Sequence, residues 1–204
     1  MNYELKPPAL NEATPEQRHR ALVRITHWLV VFAVGGLIYS GAGILISHPR
    51  LYWGETGAVG TPALIDLPIP FMLGHSGWGR YLHFLAAWVC LASGIIYMVH
   101  GFASQHFRRS LPAYNTAQRV SYLSIVFVLG PLMLLSGLAF SPAIASVAPV
   151  IVNMFGGQQS ARTIHFFVAA VIVIFVLGHV ALAFKGGFRA RMRGIISGRE
   201  VESS

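Results

Sequence analysis

Four long apolar runs dominate the chain, at about 24–46, 79–102, 119–140 and 162–184, separated by stretches rich in proline, glycine and charge. Each reaches the roughly 20 residues that a bilayer core requires. None shows the alternation of a barrel strand, and backbone groups in hydrocarbon must be satisfied within their own segment, so the pattern predicts four transmembrane helices. The first run is too long for a signal-peptide core and follows a charged, acid-containing leader, so it reads as the first helix. The expected architecture is one all-α integral membrane domain over 1–204, a four-transmembrane-helix bundle. Its leader is 1–23, its connections 47–78, 103–118 and 141–161, and its tail 185–204.

Composition strengthens this reading. Hydrophobic residues make up 54% of the 204 and charged residues only 11%, too few to cover the surface of a soluble domain. The net charge of +8 raises the question of nucleic acid, but the placement of the charges answers it. Lys6, Arg18, Arg20 and Arg24 lie in the leader or its junction, Arg108, Arg109 and Arg119 around the middle connection, and Lys185, Arg189, Arg191, Arg193 and Arg199 in the tail. Only Arg50, Arg80 and Arg162 fall on the other side. That partition is the positive-inside pattern, which places both termini and the 103–118 loop in the cytoplasm. It implies contact with membrane lipid and no nucleic acid.

The two outer connections are longer than a hairpin needs. One contains 61-TPALIDLPIPFM-72; the other contains Pro142, Pro149 and 156-GGQQS-160. They read either as a docking platform or as segments that pack over the helix ends.

Few polar groups enter the spans. All seven acids (Glu4, Glu12, Glu16, Glu55, Asp66, Glu200 and Glu202) lie outside them, which weighs against a proton pump or ion-coupled transporter. The single cysteine, Cys90, excludes a disulfide, a zinc framework and covalent haem attachment. What remains is histidine. His19, His48, His75 and His106 fall in leader or loops, and His100 sits at a helix end, whereas His27, His83, His165 and His179 are inside the spans. One intramembrane histidine often just hydrogen-bonds a neighbouring helix; four ask for a joint explanation.

Depth supplies it. Alternating helix direction puts His27 and His179 near the inner face and His83 and His165 near the outer one. The 14 residues from His165 to His179 rise about 21 Å and return to within about 40° of the same face, whereas His83 and His100 are about 100° out of phase. Two opposed imidazoles at each of two levels suit bis-histidine ligation of two b-type haems, one neutral ring nitrogen on each side of a flat macrocycle. Gly35, Gly36, Gly41, Gly43, Gly94, Gly130, Gly137 and Gly178 would let such a group sit between helices, as would close helix packing without it. Three of the histidines follow an arginine and precede an aromatic ring, in 24-RITHWL-29, 80-RYLHFL-85 and 162-RTIHFF-167. Arg24, Arg80 and Arg162 are therefore candidates to pair with haem propionates, beside the alternative of snorkelling to lipid headgroups.

From 24-RITHWL-29 to 165-HFFVAAVIVIFVLGH-179 the chain resembles the four-helix di-haem cytochrome b subunits of the cytochrome b561 family, which serve respiratory formate dehydrogenases, nickel-iron hydrogenases and related molybdoenzymes. A closer likeness, to the cytochrome b partners of sulfite-oxidase-like or thiosulfate-reductase-type molybdenum proteins, rests on 48-HPRLYWG-54 and 155-FGGQQSARTIHF-166. The resemblance implies that His27 and His179 hold the inner haem and His83 and His165 the outer one. It also implies a bacterial inner-membrane location and a periplasmic redox subunit such as a molybdoenzyme. The segment 114-YNTAQR-119 is similar to an element that lines a quinone pocket in the formate dehydrogenase subunit, which makes Tyr114, Asn115 and Gln118 quinone-binding candidates. Asn115 and Gln118 also read as an N-cap and its capping-box partner. The expected function is thus transmembrane electron transfer, as a subunit of a quinone-linked oxidoreductase complex. Two other classes stay open: a stand-alone oxidoreductase acting on superoxide or a metal ion, and a cofactor-free anchor whose histidines bond between helices.

Overall fold

The structure, a computed structural model, describes residues 21–57, 60–68, 77–104, 116–139 and 141–198. In chain order these form α1 (Ala21–Ser47), a two-residue antiparallel ladder of β1 (Arg50–Leu51) and β2 (Ile65–Asp66), and α2 (Gly77–Ala103). A composite span follows, of α3 (Thr116–Ser124), a π-helical turn (Ile125–Leu129) and α4 (Gly130–Ala139). Then come α5 (Pro142–Val147), α6 (Pro149–Met154), α7 (Gln158–Lys185) and α8 (Phe188–Ser197). Among the described residues, α1, α2, Thr116–Ala139 and α7 are the four helices long and apolar enough to cross a membrane. Large apolar side chains point outward along them, with Phe32 73%, Tyr81 80% and Ile174 69% exposed. Facing water this would be an aggregating surface; facing lipid it is solvated.

Because lipid tails compete for large apolar groups, the seams between helices are built from small residues that let backbones approach. On α1 the buried positions are Thr26, Ala33 and Ser40, on α2 Gly79, Ala86, Ser93 and Gly101. The first three of each set recur every seven residues, the period that keeps one stripe facing a partner helix in a left-handed supercoil. A Cβ built on Gly36 would meet the Ala86 methyl at 3.5 Å, ordinary contact. α1 packs chiefly on α2, and α4 on α7.

The third span is irregular where Pro131 enters it. Proline offers no N–H to the carbonyl of Phe127, and in a regular α-helix its ring would clash with that carbonyl. The backbone widens instead, and the Gly130 N–H reaches back to the Ile125 carbonyl. A π turn absorbs one extra residue, so every side chain beyond it is re-aimed by about 100°. Ser136 and Gly137 lie beyond it.

At one end of the bundle the two longer connections are knitted together. Arg50 Nε bonds Asp66 Oδ2 at 3.1 Å across the ladder, and Leu51 beneath it is 1% exposed. The Gly54 carbonyl accepts from the N–H groups of Gln159 (3.0 Å) and Ser160 (3.2 Å), satisfying first-turn donors of α7 that have no partner within the helix. The Gly54 N–H donates to Ser160 Oγ at 2.7 Å, and Thr163 Oγ1 donates to the Tyr52 carbonyl at 2.6 Å. Arg162 donates to the His48 carbonyl. So 48–54 packs over the start of α7, as one of the two readings of this loop expects. Within the second connection Pro142 and Pro149 begin the short helices α5 and α6, since a missing N–H costs nothing at a first helical position.

Candidate haem-binding site

The knitted end also holds His83, within the second turn of α2, and His165, within the second turn of α7. Their ring centroids are 6.3 Å apart with planes inclined at 58°. Each is gripped by a serine of the helix its own helix packs against. Ser40 Oγ lies 3.0 Å from His83 Nδ1, and Ser136 Oγ lies 3.1 Å from His165 Nδ1.

The proton positions follow from the chemistry of the partners. The Ser40 hydroxyl donates its one proton to the Gly36 carbonyl at 2.6 Å, so its oxygen can only accept from His83 Nδ1–H. The Ser136 hydroxyl donates to the Met133 carbonyl at 3.1 Å. His165 Nδ1 is itself 3.1 Å from that carbonyl, which has no proton to give, so Nδ1 carries the hydrogen there too. Both imidazoles are thereby held as the tautomer whose Nε2 is bare, the form that binds a metal.

Two imidazoles holding one metal between them, with bonds of roughly 2 Å and about 1 Å more to each ring centre, would stand about 6 Å apart. The 6.3 Å separation fits that arrangement. Two of the glycines whose smallness would suit a macrocycle lie against the imidazole edges instead. A Cβ on Gly137 would stand 3.2 Å from His165 Cε1, and one on Gly41 3.5 Å from His83 Cε1. Around Gly35, Gly94 and Gly178 nothing lies within 4 Å of such an atom.

At the opposite end His27 packs edge-on against Trp28, at 5.6 Å and 89°, and His179 stacks over Phe175, at 6.1 Å and 21°. His27 is half-buried and His179 exposed. The buried residues of α7, Ser160, Ala161, Thr163 and Val168, all belong to its first half, so the seam that covers His165 does not reach His179. Arg24, one turn before His27, has Nη1 buried with no hydrogen-bond partner among the described residues, beside a cavity of about 350 Å³ lined also by Trp28, Phe32 and Ile195. A buried guanidinium nitrogen lacking an acceptor suits an anionic group. Arg80 is exposed, and Arg162 is half-buried and tied to the His48 carbonyl. Gln118 is half-buried in the first turn of α3; Tyr114 and Asn115 lie outside the described residues.

Ser40 and Ser136 escaped the sequence reading. Their signal is a repeated Ser-Gly pair, 40-SG-41 and 136-SG-137, near one end of the two spans that bring no histidine to that level.

Residues 18–198 match the family described as prokaryotic cytochrome b561. A relative named putative protein-methionine-sulfoxide reductase subunit YedZ1, from Azospira oryzae, is 29% identical over 194 residues, covering 80% of this chain and 88% of its own. With four apolar spans, the match over nearly the whole length places this chain in the prokaryotic cytochrome b561 family, multi-pass proteins of the bacterial inner membrane that carry electrons across it on b-type haem.

Proposed function

We propose that this chain binds two b haems, one between His83 and His165 and one between His27 and His179, and connects a periplasmic redox subunit with the membrane quinone pool. The observation that carries the reading is the His83–His165 pair, 6.3 Å apart with both Nδ1 protons committed to serine oxygens. Bound there, haem iron would accept and release one electron at a time. The chain's own part is to present two bare nitrogens on rigid helices, to exclude water with apolar spans, and to hold charge at the rims. Arg24 is the best placed to meet a propionate, given its buried Nη1, unpartnered among the described residues; Arg80 and Arg162 are the candidates at the other end. Gln118, with Tyr114 and Asn115 before it, would offer a quinone carbonyl a polar contact on the cytoplasmic side, where the basic tail and termini lie. The relative's name, a reductase subunit, favours electron flow toward a reductase; with quinol as the donor and a periplasmic molybdoenzyme as the partner, electrons would move outward.

The full-length protein, purified from membranes, should show two b haems per chain in a reduced-minus-oxidised spectrum and should be reduced by a quinol. A folded but colourless protein would end the haem reading; two haems that no quinol reduces would end the quinone half of it. Between the two glycines, Gly137→Ala should lower haem content by displacing His165, while Gly41→Ala, whose Cβ meets only ordinary contact, should retain both haems.

A further inference from the structure

We infer that Ser40 and Ser136 are positioning residues that set the electronic character of the His83–His165 pair, so that two helices without a histidine at this level tune one redox centre from opposite sides. The inference rests on the haem assignment above and goes beyond it. Both serines are almost completely buried, at 2% and 0% exposure, in spans whose other buried positions are chiefly small residues. A serine within a helix commonly turns its hydroxyl back onto the preceding turn. Here that habit has a second use, because a hydroxyl whose proton is spent on Gly36 or Met133 leaves an oxygen that can only accept.

The two grips are built alike. Ser40 on α1 takes the Nδ1–H of His83 at 3.0 Å, and the backbone carbonyl of Leu37, one turn earlier, is a second acceptor for that imidazole. Ser136 on α4 takes the Nδ1–H of His165 at 3.1 Å, with the carbonyl of Met133, one turn earlier, as the second acceptor. The glycine after each serine lies against the same imidazole. Acceptors on the Nδ1–H, one for His83 and two for His165, draw its proton outward and leave more electron density on the ring. A ligand so enriched binds the oxidised metal more strongly than the reduced one and lowers the reduction potential. Packing alone would need small residues at positions 40 and 136, and alanine would meet that need. A hydroxyl at both, aimed at both ligands, is what packing leaves unexplained.

The test is redox titration and low-temperature electron paramagnetic resonance of the full-length, haem-loaded protein carrying Ser40→Ala, Ser136→Ala or both, with Ser→Thr at each site as the variant that keeps the hydroxyl. Each alanine should raise the potential of one haem and leave the other unmoved. The double variant should move that same haem further, threonine should move it back, and the low-spin signal of that haem should shift in parallel. Should an alanine variant lose this haem outright, its recovery in the threonine variant supports the role. Unchanged potential and signal in both alanine variants would overturn the inference, as would shifts in two different haems or haem loss that threonine does not reverse. Failure of the haem assignment would look different, because the unaltered protein would then lack the second haem before any serine is changed.

Discussion

His83→Ala and His165→Ala should each yield a folded protein with one haem per chain in place of two, and the haem that remains should be the same in both. A change to an outer-shell partner commonly costs 10–100-fold in metal affinity, and removing an axial nitrogen altogether should cost at least about 100-fold. The cost to the fold is far smaller. Each imidazole is half-buried, and its removal deprives one serine oxygen of a donor, worth about 1 kcal/mol. Helix content by circular dichroism should therefore be unchanged while the absorbance halves. His27→Ala and His179→Ala should remove the other haem. The double variant His83→Ala/His165→Ala should be no worse than either single one, because the two nitrogens serve one iron. A loss pattern pairing His27 with His83, or additive losses within a pair, would mean that the histidines are sorted wrongly between the two levels.

Gly157→Ala should be the most damaging single change outside the histidines. The residue has φ 119°, a conformation that side chains with a Cβ rarely adopt, and its added carbon would overlap the carbonyl of Gly54. That carbonyl is the acceptor that holds the first turn of α7. Backbone strain of this kind costs about 1–3 kcal/mol, and retreat of the loop would give up hydrogen bonds worth about 1 kcal/mol each, so a loss of about 3 kcal/mol or more is expected. Gly35→Ala is the matching control. It lies in the α1 interior with nothing within 4 Å of the new atom, and alanine there should gain about 0.5–1 kcal/mol. Thermal unfolding in detergent would compare them; a Gly157→Ala protein as stable as the parent would show that the 54–57 segment can yield without loss.

The spans and the histidines were readable in the chain because each is a property of one helix. Hydropathy marks the length, and the 100° turn per residue relates His165 to His179 while separating His83 from His100. The family followed from the same residues. Features that depend on two segments meeting were not readable. Thr163 and the Tyr52 carbonyl are distant in the chain, and no local pattern announces their bond. The seven-residue stripes Thr26–Ala33–Ser40 and Gly79–Ala86–Ser93 are visible once the helices are paired, but in an apolar run a small residue gives weaker contrast than a charge. Pro142 and Pro149 marked breaks, and only the folded chain shows that each break is also a helix start. Pro131, inside an apolar run, gave no hint that the third span would widen into a π turn and so direct Ser136 at His165.

The dependence of everything on α7 also has a bearing on biogenesis. A nascent chain leaves the ribosome N-terminus first, so α1 and α2 present His27 and His83 while the helix that carries His165 and His179 is still unmade. Each proposed site is until then a half-site, with one nitrogen where two are needed. The loop at 48–54 waits as well, because the N–H groups that its Gly54 carbonyl receives come from residues 159 and 160. On the proposed ligation, cofactor loading would wait for α7: a translation product cut short before it would hold neither haem firmly, and insertion of that span would close the clasp over His165 in the same event that supplies the missing ligand to both levels.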